Sequence, residues 1–267
     1  MLLSKVLLSS FLAAVSLQTA TPSKQELNDQ LYEAVRKGDA AAVTAVLDKG
    51  ADVNAKYRYG MTALFKAAER GHTEVAKILL DRGVDVKVKD TFYGATAMTW
   101  ALDNKHLGVV KLLLEKSGGD VDDVLTQGAR ENNPELVQIA LDKGGATPAT
   151  LTAALALASA DQKSAAIADM LKKAGAQPPL QVDAAILQTY AGKYRGEPGP
   201  EISIAVKDGT LMANLGRDSF PLMALDTTTF RPIAFSGITL VFNREADKVP
   251  SITFKQGQNT SQLKRVE

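Results

Sequence analysis

His72 and His106 are the only histidines in the 267-residue chain, and cysteine is absent. That removes disulfides, thiolate zinc sites and cysteine nucleophiles, and it leaves little for His-based catalysis or multi-His metal sites. A serine nucleophile needs a base and a strained elbow, and no G-x-S-x-G is present. One S-x-x-K occurs, Ser261-Gln262-Leu263-Lys264, but it falls in a predicted final strand with no partner motif, so it reads as accidental. Phosphate-cradling glycine loops are missing as well. Asp120, Asp122 and Asp123 follow Gly118-Gly119, a cluster too short for a calcium loop and better suited to capping a helix. Lys plus Arg numbers 31 against 30 Asp plus Glu, so no basic surplus points to a nucleic acid. Catalytic chemistry, metals and cofactors are therefore not expected.

Side chains suited to binding are better represented, and a repeat positions them. Thr62-Ala63-Leu64-Phe65-Lys66-Ala67-Ala68 opens one helix and Gly71-His72 ends it. Thr73 to Asp81 form a second helix, and Gly83-Val84-Asp85-Val86 closes the unit. The pattern recurs upstream at Leu31, Ala34, Gly38-Asp39, Val46-Leu47 and Gly50-Ala51-Asp52-Val53-Asn54. It recurs downstream at Thr96-Ala97-Met98, Ala101, His106, Val109 and Leu112-Leu113. Ala129 to Val137 begin a fourth, shortened unit, and Thr150 to Ala176 an alanine-rich fifth. One unit cannot bury its own apolar face, whereas a stack buries a continuous core.

These offsets resemble the ankyrin repeat, T-P-L-H-x-A-A, then G-H, then L-L-x-x-G-A-D-V-N. The chain departs from it where Ala63 and Ala97 replace the proline and Phe65 and Thr99 the histidine, so the usual histidine hydrogen bond is lost. Both actual histidines occupy the Gly-His position and read as structural. In register, Glu33, Lys66 and Trp100 share one first-helix position; Arg36, Glu69 and Asp103 share a second; Lys37, Arg70 and Asn104 share a third. The resemblance implies that these positions face the concave groove. It also puts Tyr57-Arg58-Tyr59 and Thr91-Phe92-Tyr93 on successive finger loops. Trp, Tyr and Arg are the residue types that carry most interface energy. The candidate partner-binding set is Trp100, Tyr57, Arg58, Tyr59, Phe92, Tyr93, Lys66, Arg70 and Asp103. The competing reading is that the aromatics pack on one another or on the carboxyl-terminal domain.

Residues 1–20 carry Lys5, a short apolar run and small residues, the pattern of a secretory signal cleaved after Ser16 or Ala20. Gln177-Pro178-Pro179 breaks the helical pattern, and beyond it the period becomes two. Asp208-Gly209 marks a hairpin. Leu187 to Tyr194, with its L-x-x-Y-x-G-x-Y spacing, together with Phe230, Val241-Phe242 and Arg265, resembles a lipocalin-like accessory module of bacterial serine beta-lactamase-like hydrolases. The expected organisation is multidomain α + β. It comprises a signal at 1–20, an ankyrin solenoid of about five units with degenerate ends at 25–178, a linker at 179–182, and a small antiparallel β-barrel or sandwich at 183–267. The expected function is a non-enzymatic protein-binding adaptor, periplasmic or secreted, with no nucleic-acid partner and no stable membrane insertion. The alternatives are an apolar ligand in the barrel, or inhibition of an enzyme.

Overall fold

The computed structural model describes residues 22–117, 121–160, 164–196, 201–246 and 248–266. The signal expected at 1–20 and the cluster members Gly118, Gly119 and Asp120 lie outside the described residues.

Ten helices form five antiparallel pairs: α1 (Lys24–Lys37) with α2 (Ala40–Asp48), α3 (Ala63–Arg70) with α4 (Thr73–Asp81), α5 (Ala97–Asp103) with α6 (Leu107–Ser117), α7 (Val121–Arg130) with α8 (Pro134–Lys143), and α9 (Pro148–Ala160) with α10 (Ala165–Lys173). The first helices pack in series, α1 on α3, α3 on α5 and α7 on α9, with the one weak junction between α5 and α7. Leu64, Ala67, Ala68, Leu79, Ala101, Leu125 and Val137 sit in one continuous buried core. Small alanines let the helices approach closely, and each buried leucine contributes about 1.5–3 kcal/mol. Helix α1 starts on a capping box, Ser23 with Glu26.

Histidine and glycine interlock neighbouring repeats. Gly38 and Gly71 end α1 and α3 in the left-handed conformation, with φ of 74° and 69°. A Cβ on Gly38 would fall 2.8 Å from the His72 ring, and one on Gly71 only 2.5 Å from His106. His106 Nε2 lies 3.0 Å from the Glu69 carbonyl oxygen, and His72 Nε2 3.4 Å from that of Arg36. A carbonyl only accepts, so those nitrogens carry the proton. At the corresponding place in the third repeat Lys105 takes a φ of 59°, and the fourth repeat offers it no histidine: Asn133 stands there and caps its own helix.

The carboxyl-terminal part is a closed antiparallel barrel in which each strand pairs with its sequence neighbours and β1 with β8. The strands are β1 (Gly192–Arg195), β2 (Glu201–Lys207), β3 (Thr210–Leu215), β4 (Asp218–Ala224), β5 (Thr229–Pro232), β6 (Ile238–Glu245), β7 (Lys248–Gln256) and β8 (Asn259–Arg265). Asp208 and Gly209 both have positive φ between the paired Lys207 and Thr210, the turn that matches strand twist. A short helix, α11 (Ala184–Tyr190), precedes β1 and sends Leu187 and Tyr190 into the barrel. Tyr190 stacks on Phe242 at 4.3 Å, and Phe230 and Tyr194 meet the same ring edge-on at 5.5 and 6.2 Å. Burial pushes both phenols up. Their hydroxyls donate to the Thr227 and Tyr190 carbonyls at 2.7 and 2.9 Å. Arg265 donates to the carbonyls of Thr189 and Ala191 at the end of α11, a favourable place for a cation.

The two parts touch. Arg231 of β5, almost fully buried, donates to Thr150 Oγ1 of α9 at 3.0 Å and to the Phe235 carbonyl at 2.9 Å. Asp122 and Asp123 at the start of α7 favour its charge, against a larger desolvation effect that lowers its pKa. Ser236 donates to Asp123, and Leu180, in the segment expected to be a linker, bridges to Ala224 of β4. The β5–β6 loop also lines a cleft of about 410 Å³ with side chains of both α5 and α7.

Candidate functional site

The second finger, residues 82–96, is organised by Asp90. Its carboxylate is buried and accepts from the backbone N–H groups of Phe92 and Tyr93 at 2.9 and 2.6 Å and from the Trp100 indole N–H at 3.1 Å. Its own N–H donates to the Ala95 carbonyl. The Tyr93 amide above all, with Trp100 and Phe92, holds the carboxyl below the usual aspartate range against the opposing effect of burial. The turn is fixed by these bonds, and it directs Phe92 and Tyr93 outward, 63% and 73% exposed.

The aromatics form a run across two fingers. Tyr59 lies 5.4 Å from Phe92, Phe92 meets Tyr93 edge-on at 4.5 Å, and Tyr93 lies 6.5 Å from Trp100. Arg58 stacks on Tyr59 at 4.6 Å. The Thr91 N–H donates to the Tyr59 carbonyl at 2.9 Å and ties the fingers together. Tyr59 itself holds a left-handed φ of 58°, a conformation that costs a non-glycine residue free energy and persists only where neighbours enforce it.

The sequence candidates separate into groups. Tyr59, Phe92, Tyr93 and Arg58 gather at the exposed tips. Tyr57 does not: its ring packs on Tyr32 at 4.6 Å, its hydroxyl donates to the Asn28 carbonyl at 2.8 Å, and burial raises its pKa. It therefore fastens the first finger to α1. Trp100 is half-buried, with its indole N–H engaged by Asp90 and so not offered to a partner. Lys66 is paired with Glu69 one turn on in α3, while Arg70 and Asp103 are exposed at the ends of α3 and α5. The sequence reading missed Asp90. Its signal was an aspartate just before a Thr-Phe-Tyr-Gly turn, the place for a side chain that binds the backbone two residues on. Thr96 and Thr99 form a capping box on α5, whereas buried Thr62 Oγ1 finds no hydrogen-bond partner among the described residues. Residue 65, where the repeat's usual histidine would stand, is phenylalanine.

Beyond this surface, the described residues contain no cluster of three or more His, Asp or Glu able to hold a metal. Among them, no helix is long and apolar enough to cross a membrane.

Paired helices, long finger loops and a continuous inner face define a helical-repeat solenoid, a class that binds along its concave side. Residues 31–124 match the family model for ankyrin repeats, in three copies. The first three helix pairs are thus ankyrin repeats, which indicate a protein partner in general terms. The two further pairs extend the same stack. No curated protein matches the chain.

Proposed function

We propose that the protein is a non-enzymatic exported adaptor that binds another protein through the fingers and groove of its first three repeats. The observation that carries this reading is the exposed aromatic run Tyr59, Phe92, Tyr93, held outward by the buried Asp90 turn. Large apolar side chains kept in water by a fixed turn cost stability unless something else covers them. The barrel is hydrogen-bonded to the fourth and fifth repeats, its β5–β6 loop reaches the cleft beside α5, and these fingertips stay uncovered. On this reading residues 183–267 are a lipocalin-like accessory module. The reading that an apolar ligand fills the barrel has less support, because Tyr190, Tyr194, Phe230 and Phe242 already fill its interior. Export rests on the signal pattern of residues 1–20.

The test is quantitative cross-linking and capture with the mature protein beside a Phe92→Ser, Tyr93→Ser double variant of equal melting temperature. A stoichiometric protein taken by the wild type and lost by the variant supports the reading. Equal capture by both, or a co-purifying lipid alone, refutes it. Periplasmic fractionation tests the location independently.

A further inference from the structure

The second finger and α5 border an open cleft of about 580 Å³, lined by Tyr93, Gly94, Ala95, Thr99, Trp100 and Asp103. We propose that this cleft is a subsite for one arginine side chain of the protein partner. The inference rests on the protein-binding reading above and gives that partner a chemistry.

Three features converge. Two aromatic rings, 6.5 Å apart and inclined at 59°, form adjoining walls. Aromatic faces are electron-rich and attract cations, tryptophan most strongly. The Trp100 N–H donates to the Asp90 carboxylate, which enriches the indole ring further. Among the described residues of the lining the only charged side chain is a carboxylate, Asp103, and it is exposed. A site with aromatic faces, one free-standing anion and no lining cation is complementary to a positive group. The nearest basic side chains of the neighbouring cleft, Lys89 and Arg130, lie beyond Gly94 and Thr99, the residues the two clefts share.

Arginine fits better than lysine on physical grounds. Its guanidinium is planar, stacks on an aromatic face and gives a carboxylate two parallel N–H bonds. A lysine ammonium is more strongly hydrated and loses more on leaving water. The opening is large enough for the arginine side chain and the stretch of backbone that carries it. The Asp90 turn makes the site preorganised, because both walls hang from one buried carboxylate.

The chain has one tryptophan, so the indole N–H gives a single side-chain cross-peak in a nitrogen–proton NMR spectrum and reports this cleft alone. Tri-arginine, tri-lysine and tri-citrulline peptides serve as probes against the full mature protein. Tri-arginine is expected to move the indole peak saturably, tri-lysine at least about threefold more weakly, and tri-citrulline not at all. Asp103→Asn is expected to weaken the tri-arginine response roughly five- to tenfold without lowering the melting temperature, about 1–1.4 kcal/mol of affinity. Tyr93→Leu is expected to weaken it comparably. An equal response to citrulline, an equal response to lysine, or no shift at millimolar peptide overturns the proposal. A captured partner that is lost with Phe92→Ser, Tyr93→Ser yet indifferent to Asp103→Asn also overturns it, while leaving the protein-binding reading intact.

Discussion

The first three repeats and the last two are built from the same helix pair but end differently on the groove side. Residues 49–62 and 82–96 give long fingers between α2 and α3 and between α4 and α5. Only residues 118–120 join α6 to α7, and only 144–147 join α8 to α9. Where the fingers exist, their tips carry exposed aromatics; where they are too short, the barrel occupies the space and buries Arg231 against Thr150. Loop length thus separates a stretch of solenoid with exposed aromatic tips from one that its own chain covers. A core that is continuous through all five pairs underlies both stretches.

Four measurements would break or sharpen that contrast. The largest effect belongs to the shared core: Leu79→Ala, fully buried in α4, is expected to cost about 2–5 kcal/mol in thermal or urea unfolding. A melting shift within error would mean that the finger-bearing half is not a packed stack. Next, Arg231→Ala removes the charge-assisted hydrogen bond to Thr150 across the joint, about 1.5–3 kcal/mol, together with one to Phe235 inside the barrel. Faster limited proteolysis within residues 174–183, with the fingers cut no faster, is the expected result. An unchanged pattern would deny that this joint holds the barrel on the short-loop repeats. Third, Phe92→Ser with Tyr93→Ser should weaken partner binding at least about thirtyfold, roughly 2 kcal/mol, and leave the melting temperature nearly unchanged. A collapse in stability with intact affinity would make the fingertips structural, erasing the difference between the halves.

The smallest effect is a pH dependence of the second finger. Asp90 has a folded pKa below its ordinary value. Its contribution is therefore fully present above the usual aspartate range, near pH 3.9, and is lost as pH falls through the depressed folded value. Tryptophan fluorescence, which reads Trp100 alone, should change only on the acid side of that range, and Asp90→Asn should abolish the transition. A transition above pH 5 would contradict the hydrogen-bonded turn.

The repeat was legible because its period fixes several residues at once, and the all-β character beyond Gln177-Pro178-Pro179 because the period there becomes two; barrel over sandwich is decided by the pairing of β1 with β8, which no local period reveals. The Asp208-Gly209 turn was equally readable, since few residues accept two successive positive φ values. Helix α11 was not: Ala184 to Tyr190 are too few for a period, and only the aromatic interior explains why Leu187 and Tyr190 turn inward. The joint was hidden for another reason. Arg231 and Thr150 are 81 positions apart, and nothing local to either distinguishes a buried arginine from a surface one. Tyr57 and Tyr59 sit two residues apart in one finger, yet one packs on Tyr32 and the other on Phe92. That choice is made by α1 and by the next finger, not by the dipeptide itself.

The histidine rings seated on Gly38 and Gly71 also bear on how the array comes apart. In a linear stack, cooperativity is a chain of nearest-neighbour couplings, and the weakest coupling marks where one foldon ends. Ring and glycine interlock at the first and second junctions, whereas at the third Lys105 stands in place of the glycine and no histidine answers it. Amide protons of the first three repeats should therefore exchange as one block, with a boundary at the seam between α5 and α7. The β5–β6 loop of the barrel borders both sides of that seam, so a domain remote in sequence splints the joint that the repeats themselves leave loosest.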